Sequence, residues 1–481
     1  MSQGGSDDKQ ALETIIGEKL ARGTEKTKSL YSLARIYKVP EDLRNLNESA
    51  YVPRLFAVGP LHRGDKHLHT AMQDVKMDYA NHLFLRLKGE KKDKVLHECV
   101  EKMKNCRVRA KKYYTEEEVT LVDKAKRYYG EELELNDDEM VEMMLVDGFF
   151  ILELLYAYYH TSYCQDLILL ENQIPFFVLV HLFQLTVHQI HKDQACTHKL
   201  SLEHYLVSYF SKFLSFEGGQ YSGSKLKTSG LSGDHSMISV RTEPGRADDY
   251  YHILHFIHSR YIPGDQEEIN KLGGSNPTST LHSELTLSAS DLYYAGVEFV
   301  PNEELFEVKF IKEGIFCCGR TLQFQIPTIY IRNTTESFLR NVIALEQCCP
   351  GVPRYFTSYA KLMDMFISSA EDVQVLIKKK VIHNYLSTDE DVCNLFNKLC
   401  KEVALEDFHF EKECKKASDY NMHWRTRALR YVIRLFISSP WPVIAFFMGI
   451  VTFGIAVYQF GYAFHPVHAV RTATSTACQK D

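Results

Sequence analysis

The residues best suited to chemistry are carboxylates set in apolar surroundings. Asp147 and Glu153 interrupt Met143-Met-Leu-Val-Asp-Gly-Phe-Phe-Ile-Leu-Glu-Leu-Leu155, a run that is apolar nearly all round. A carboxylate buried there either carries a shifted pKa suited to acid–base work or is held by a partner. Glu171, Asn172 and Gln173 likewise separate two apolar runs in Asp166-Leu-Ile-Leu-Leu-Glu-Asn-Gln-Ile-Pro-Phe-Phe-Val-Leu179, just before Pro175. With Asp147, Glu153 or Glu171 as acid or base, the chain would be an enzyme of unrecognised type. The structural alternative is the stronger one at each position. Asp147 and Glu153 then pair with an arginine such as Arg340, and Asp166 caps a first helical turn. The trio at 171–173 lines a kink or helix-to-helix turn at Pro175 and satisfies the backbone groups that the proline frees.

Other chemistries fall short of a complete constellation. His252, His255 and His258 are three apart and partly share a helical face, but no carboxylate or cysteine completes a metal set. Gly218 to Gly223 has the glycine spacing of a phosphate-binding loop, yet Ser224-Lys225 follows where Lys-Ser or Lys-Thr is required. G-x-S-x-G and H-E-x-x-H are absent. The 12 cysteines include the vicinal pairs Cys317-Cys318 and Cys348-Cys349 and no C-x-x-C, a pattern of small buried hydrophobes rather than of disulfides or zinc. No catalytic, cofactor or metal residue is therefore assigned. A net charge of −6 argues against a nucleic-acid partner, whose recognition leaves a basic footprint. The basic run Lys102, Lys104, Arg107, Arg109, Lys111 and Lys112 could serve a lipid-surface adaptor. The simpler expectation is a solvated helix face answering the acidic stretch Glu131 to Glu142.

These residues need a large helical body to place them. Prolines 40, 53 and 60 keep the chain from Arg35 to His62 extended or turning, with apolar residues between them, as a segment laid over a core. Met72, Val75, Tyr79, Leu83 and Leu87 begin a helical pattern that runs to Tyr114. Residues 217–236 and 272–280 are rich in Gly, Ser, Asn and Pro and read as mobile loops. A short helix after Ser288 leads to alternating residues through Ile331. They predict a small antiparallel β meander over about 297–331, with turns at Lys312-Glu-Gly314 and Cys318-Gly-Arg320. Asn333 should cap a helix bearing Arg340, Asn341 and Glu346. Helices are then expected at 355–370, 371–380 and 391–416, the last opened by a capping box at Ser387-Thr-Asp-Glu390.

The chain ends in an element of another kind. Leu435 to Phe464 carries no charged side chain, and Pro442 to Phe464 is long enough to cross a bilayer. Arg425, Arg427, Arg430 and Arg434 precede it, and Trp441 stands at its start as an interfacial anchor. No secretory signal precedes the body. The basic side therefore puts the body in the cytosol, with the plasma membrane as the expected membrane. Ala445, Gly449, Thr452 and Ala456 form a small-residue stripe through which two such helices could associate. The division expected is a flexible arm over 1–34, a helical body over 35–434, a transmembrane helix over 442–464 and a short tail over 465–481.

The motifs themselves are specific. R-I-Y-x-V-P, Y-x-P, V-G-P-L-H, M-x-x-D-G-F-F-I-x-E-L-L, D-L-x-L-L-E-N-Q-I-P-F-F, A-G-V-x-F, R-N-x-I-A-x-E-Q-C, D-V-x-x-L-F-N-x-L and S-P-W occur in order from Arg35 to the apolar end. This resembles the plant family catalogued as domain of unknown function 247. Gln73, where a glutamate is common, and Phe149, where a cysteine is common, are modest departures. The resemblance implies a mainly α, single-pass membrane protein of a plant, with no established enzymatic activity. Some grass relatives are implicated in pollen self-incompatibility, which favours recognition or signalling through an unidentified protein partner.

Overall fold

The computed structural model describes residues 35–68, 71–87, 91–114, 135–157, 163–193, 201–210, 250–262, 287–302, 306–315, 319–349, 351–405, 408–422 and 440–464. The arm at 1–34, the loops 217–236 and 272–280, the glycine run at 218–225, Arg425, Arg427, Arg430 and Arg434, and the tail lie outside them.

The centre of the body is α3 (Asp137–Ala157), a longer helix than its apolar run suggests. From Met143 to Leu155 only Val146 is less than fully buried, because α1 (Ala71–Leu85), α2 (Lys91–Lys111) and α4 (Phe176–Leu185) all pack against it. A helix covered on all sides must be apolar on all sides. Gly148 allows the closest approach, since a Cβ there would meet Leu182 Cδ1 at 2.2 Å. The pattern read as one helical stretch from 72 to 114 is thus two helices, α1 and α2. α5 (Val187–Asp193), α6 (Leu202–Phe210) and α7 (Ile253–Tyr261) continue this half.

α8 (Ala289–Tyr294), capped by Ser288, leads into the sheet. Strands β1 (Val297–Asn302), β2 (Lys309–Ile315) and β3 (Gly319–Pro327) lie in the order β1-β3-β2. β2 and β3 are antiparallel, with Phe310 opposite Phe324, but β1 pairs parallel to β3, with Phe299 opposite Phe324. The sheet is therefore mixed, not an antiparallel meander. Alternation fixes which side chains face the core, but it is the same in parallel and antiparallel strands. Lys312 to Gly314 lies within β2, so the turn expected there is not made. β4 (Ile329–Ile331) and β5 (Ile382–Asn384) form a separate parallel pair.

α9 (Thr335–Cys348), α10 (Tyr355–Phe366) and α12 (Asp389–Leu399) pack on one another, and α11 (Ala370–Lys378) joins α8, α12 and β5. The expected helix over 391–416 is two, α12 and α13 (Glu411–Met422). Two capping expectations need correction. Asn333 does not cap α9; Thr334 holds the cap position, with no side-chain bond. The capping box of α12 is Thr388 with Asp391, one residue later than expected. A further box, Ser369 with Asp372, opens α11.

α14 (Pro440–Phe464) stands apart. Its window Ile444–Gly461 has a mean hydropathy of 1.8 and no part of it is buried. It is long and apolar enough to cross a membrane.

Candidate functional site

The site grows from one segment that cannot form regular structure. Residues 35–68 contain three prolines, one helical turn at Glu41–Arg44 and two 3-10 turns at Glu48–Ala50 and Lys66–Leu68. This strap buries Ile36, Val39, Leu43, Tyr51, Phe56 and Val58 in the core. Burial desolvates its backbone amides, which a sheet partner would otherwise satisfy. Side chains from distant elements satisfy them instead.

Asp166 takes the largest share. It lies in the single turn Cys164–Leu167 and does not cap it. Its carboxylate accepts the N–H groups of Arg54, Leu55 and Phe56 at 3.1, 2.7 and 3.1 Å. Burial raises the Asp166 carboxyl above its usual range, and the three amides and the Arg54 charge offset only part of that. Asn172 accepts Val58 N–H at 2.5 Å and donates to the carbonyls of Phe56 and Asp166. Gln173 donates to Leu167 O and Leu169 O, so it pins the loop that carries the trio. Pro175 is the cap residue of α4 and ends that loop, giving the turn rather than a kink.

Glu171 is fully buried and is the charged member of the trio. One oxygen accepts Val39 N–H at 2.7 Å and Arg44 Nη1 at 2.5 Å. The other is 2.9 Å from His62 Nε2, while His62 Nδ1 is 2.8 Å from Asp65 Oδ2. His62 thus sits between two carboxylates and can donate to both only as an imidazolium. Burial pushes the Glu171 carboxyl upward, but the bonds from His62, Arg44 and Val39 and the Arg44 charge outweigh it, and the net shift is down.

Asp147 and Glu153 project from α3 toward α1. Asp147 pairs with Lys76 Nζ at 2.5 Å and accepts Gly59 N–H at 2.9 Å. Glu153 takes Arg86 through two nitrogens at 2.6 and 3.1 Å. Neither meets Arg340, contrary to the expectation. Arg340 instead bonds Glu336 at 2.8 Å, one turn away on α9. The true partners are Lys76 on α1 and Arg86 in the turn just past its end, where packing brings them opposite α3, a juxtaposition that residue type alone does not reveal.

α9 closes the framework. Asn341 accepts Leu170 N–H and donates to Ala50 O, joining the motif loop to the strap. Glu346 accepts the N–H groups of Phe356 and Thr357 at the start of α10, together with the Thr357 hydroxyl and His258 Nε2 at 2.8 Å. His258 is therefore used by a carboxylate, and His252 accepts His255 N–H as the cap of α7. Burial, then the neighbouring His258 and Arg35 charges, depress His255 to about 3. No group of three potential metal ligands is assembled among the described residues. On α2, Arg107 meets Asp137 at 2.9 Å and Lys111 donates to Leu135 O. Part of that basic face therefore answers the acidic stretch, and Arg109 lies over the Phe177 ring.

A general acid or base must reach a proton on its substrate. These carboxylates are buried and their oxygens are spent on backbone amides and fixed cations, which suits them to holding a fold. Lys76 and Arg86 were not singled out from sequence. Arg44 and His62 had a signal, Arg44 in the Leu-Arg pair that follows R-I-Y-x-V-P and His62 as the last residue of V-G-P-L-H.

The residues so joined are those of the ordered motifs, and a family model described as a plant protein of unknown function, DUF247, matches residues 36–455. The chain belongs to this family. The match begins in the strap and ends within α14, so it takes in the whole framework. A UPF0481 protein of Arabidopsis thaliana is 25% identical over 447 residues, covering 85% of this chain and 82% of that protein. A putative UPF0481 protein of the same plant is 24% identical over 490 residues, covering 85% and 86%. No solved structure matches.

Proposed function

We propose that the chain is a single-pass membrane-anchored protein of protein recognition or signalling, possessing a helical body that presents a surface to a protein partner. The observation that carries this is α14, an apolar helix of 25 residues with no part of its central window covered by the body. Leaving that surface in water would be costly, about 25 cal/mol per Å² of apolar area. The state of the buried carboxylates supports recognition over catalysis, since Asp147, Glu153, Asp166, Glu171 and Glu346 act as framework. In this reading residues 1–34 are an arm, 35–434 the body, 442–464 the span and 465–481 the tail. The arginines before the span and Trp441 hold the body on the cytosolic side of the plasma membrane. Recognition of the self-incompatibility type is the most specific form of this function, and it rests on the family resemblance alone.

Two tests apply. The full chain should resist alkaline carbonate extraction and a chain ending at Ser439 should be released; release of both refutes the anchor. The stripe Ala445, Gly449, Thr452 and Ala456 is exposed, and the Thr452 hydroxyl is turned into its own helix, bonding Met448 O at 2.9 Å. Gly449→Leu should reduce self-association in a membrane two-hybrid assay; an unchanged signal removes that contact.

A further inference from the structure

The outer face of the β4–β5 pair carries side chains that the framework does not use. Ile329, Ile331 and Ile382 are buried, and Tyr330 and His383, which are register partners, alternate with them on the other face. Their rings stack, with centroids 4.4 Å apart and planes 8° from parallel. Two residues further along each chain the pattern repeats, with the Arg332 guanidinium carbon 5.4 Å from the Tyr385 ring centroid. Tyr330 and Tyr385 are 6.3 Å apart at 17°, so the four planar groups form one tile. Its backbone is pinned, since Arg332 N–H donates to Thr335 Oγ1 and Tyr385 N–H to Ile331 O, each at 2.9 Å. The faces of these groups cover one another, which leaves their edges for a partner, and the edges carry donors. The Arg332 guanidinium, the His383 imidazole and the Tyr385 hydroxyl make no hydrogen bond or ion pair among the described residues, and Tyr385 is 59% exposed. Charge points the same way. Residues 328–333 and 380–386 carry Arg332 and Lys380 and no carboxylate, on a chain whose net charge is −6. Glu336 and Asp389, the first carboxylates after each stretch, are already bonded, Glu336 to Asn47 and Arg340 and Asp389 to Asn384.

We propose that this tile docks an extended acidic segment of a partner protein, with one carboxylate on Arg332 and further acceptors of the segment meeting Tyr385 and His383. A guanidinium offers paired donors in the geometry a carboxylate accepts, and stacking on Tyr385 fixes its plane while leaving those donors free. A sheet face encloses nothing, so a lone small anion would stay hydrated there, whereas a chain segment spans several donors at once. The basic tile on an acidic body also favours an acidic partner over a basic one. The inference rests on the protein-recognition reading and gives the partner's chemistry.

The test is a fluorescence anisotropy titration of the full chain, in micelles of a non-ionic detergent, against a labelled decapeptide of alternating Glu and Gly. A Lys-Gly decapeptide with the same label is the control, and inorganic phosphate and anionic lipid vesicles are the competitors. Saturable binding of the acidic peptide is expected, weakening as salt rises and falling by about tenfold or more in Arg332→Gln and, separately, in Tyr385→Ala. Arg107→Gln, which removes an exposed arginine on α2, should bind as wild type does, and thermal melting will show that each variant is folded. The proposal is overturned by absence of saturable binding up to about 1 mM, or by wild-type binding in both tile variants. Equal loss in Arg107→Gln, equal binding of the Lys-Gly peptide, or displacement by phosphate or vesicles at matched charge concentration also overturns it. Carbonate extraction of the same wild-type chain reads the anchor independently, so failure of this docking and failure of the membrane reading are distinguishable.

Discussion

Replacing Glu171 with Gln tests whether the strap is held by buried charge. The substitution keeps the volume and one acceptor oxygen. It removes the negative charge and turns an N–H₂ toward groups that are themselves donors. Three bonds are at stake, to Val39 N–H, Arg44 and His62 at 2.7, 2.5 and 2.9 Å. Removing one partner of a buried ion pair costs about 3–5 kcal/mol, because the other charge is left uncompensated. The Arg44 side chain is 20% exposed, so water can recover part of the hydration of that cation. The low end, about 3 kcal/mol, is therefore expected, against a typical total of about 5–15 kcal/mol. At about 1.4 kcal/mol per decade this is roughly a 100-fold rise in opening of the strap. Hydrogen exchange of the full chain in micelles reads it directly, at the amides of Val39, Val58 and Gly59. As a reference, Arg107→Ala breaks an exposed pair and should leave strap protection unchanged. Strap protection in Glu171→Gln within about threefold of wild type would refute the reasoning.

Further outcomes follow from the same geometry. Gly59→Ala should destabilise by about 1–3 kcal/mol in urea unfolding, since Gly59 has a φ of +75° and a Cβ would lie 2.4 Å from Gln173 O. Gly148→Ala should cost about 1–3 kcal/mol by driving a methyl into Leu182, and Gly148→Ala with Leu182→Val should recover part of it. Stability should fall on acidification in two stages. Burial first, and then neighbouring cationic side chains, depress His252 and His255, so their contribution is present above about pH 6.5 and erodes below it. Glu171 and Asp372 are depressed by their hydrogen bonds despite burial, so theirs is present above the ordinary carboxylate range and is lost as pH falls through it. Asp166 is raised and opposes this in part, because its contribution is present at low pH and is lost as pH rises. Denaturant midpoints from pH 8 to 3 check the sign; greater stability at pH 4 than at pH 7 would contradict it.

The legible features were those with local causes. The apolar run at 143–155 could only be a buried helix, the prolines at 40, 53 and 60 could only hold an extended strap, and α14 declared itself by length. What stayed hidden depended on contacts across the fold. Lys76 and Arg86 sit 71 and 67 residues from their carboxylates, and nothing in or beside α1 distinguishes them from other surface cations. Arg340 looked equally suitable, yet its neighbour Glu336 on the same helix claims it. The direction of β1 was hidden for a related reason, since alternation is blind to strand polarity. Asp166 shows the same limit from the other side. Its place before an apolar run suggested a cap, whereas three strap amides more than 100 residues away needed its carboxylate.

Protease protection on sealed membrane vesicles tests the membrane-anchored account most directly. With the full chain inserted and the cytosolic face outward, the account predicts that the body is digested and that a fragment of α14 with the tail is protected. A body that remains intact until detergent is added, or a chain digested completely with no protected fragment, would contradict it.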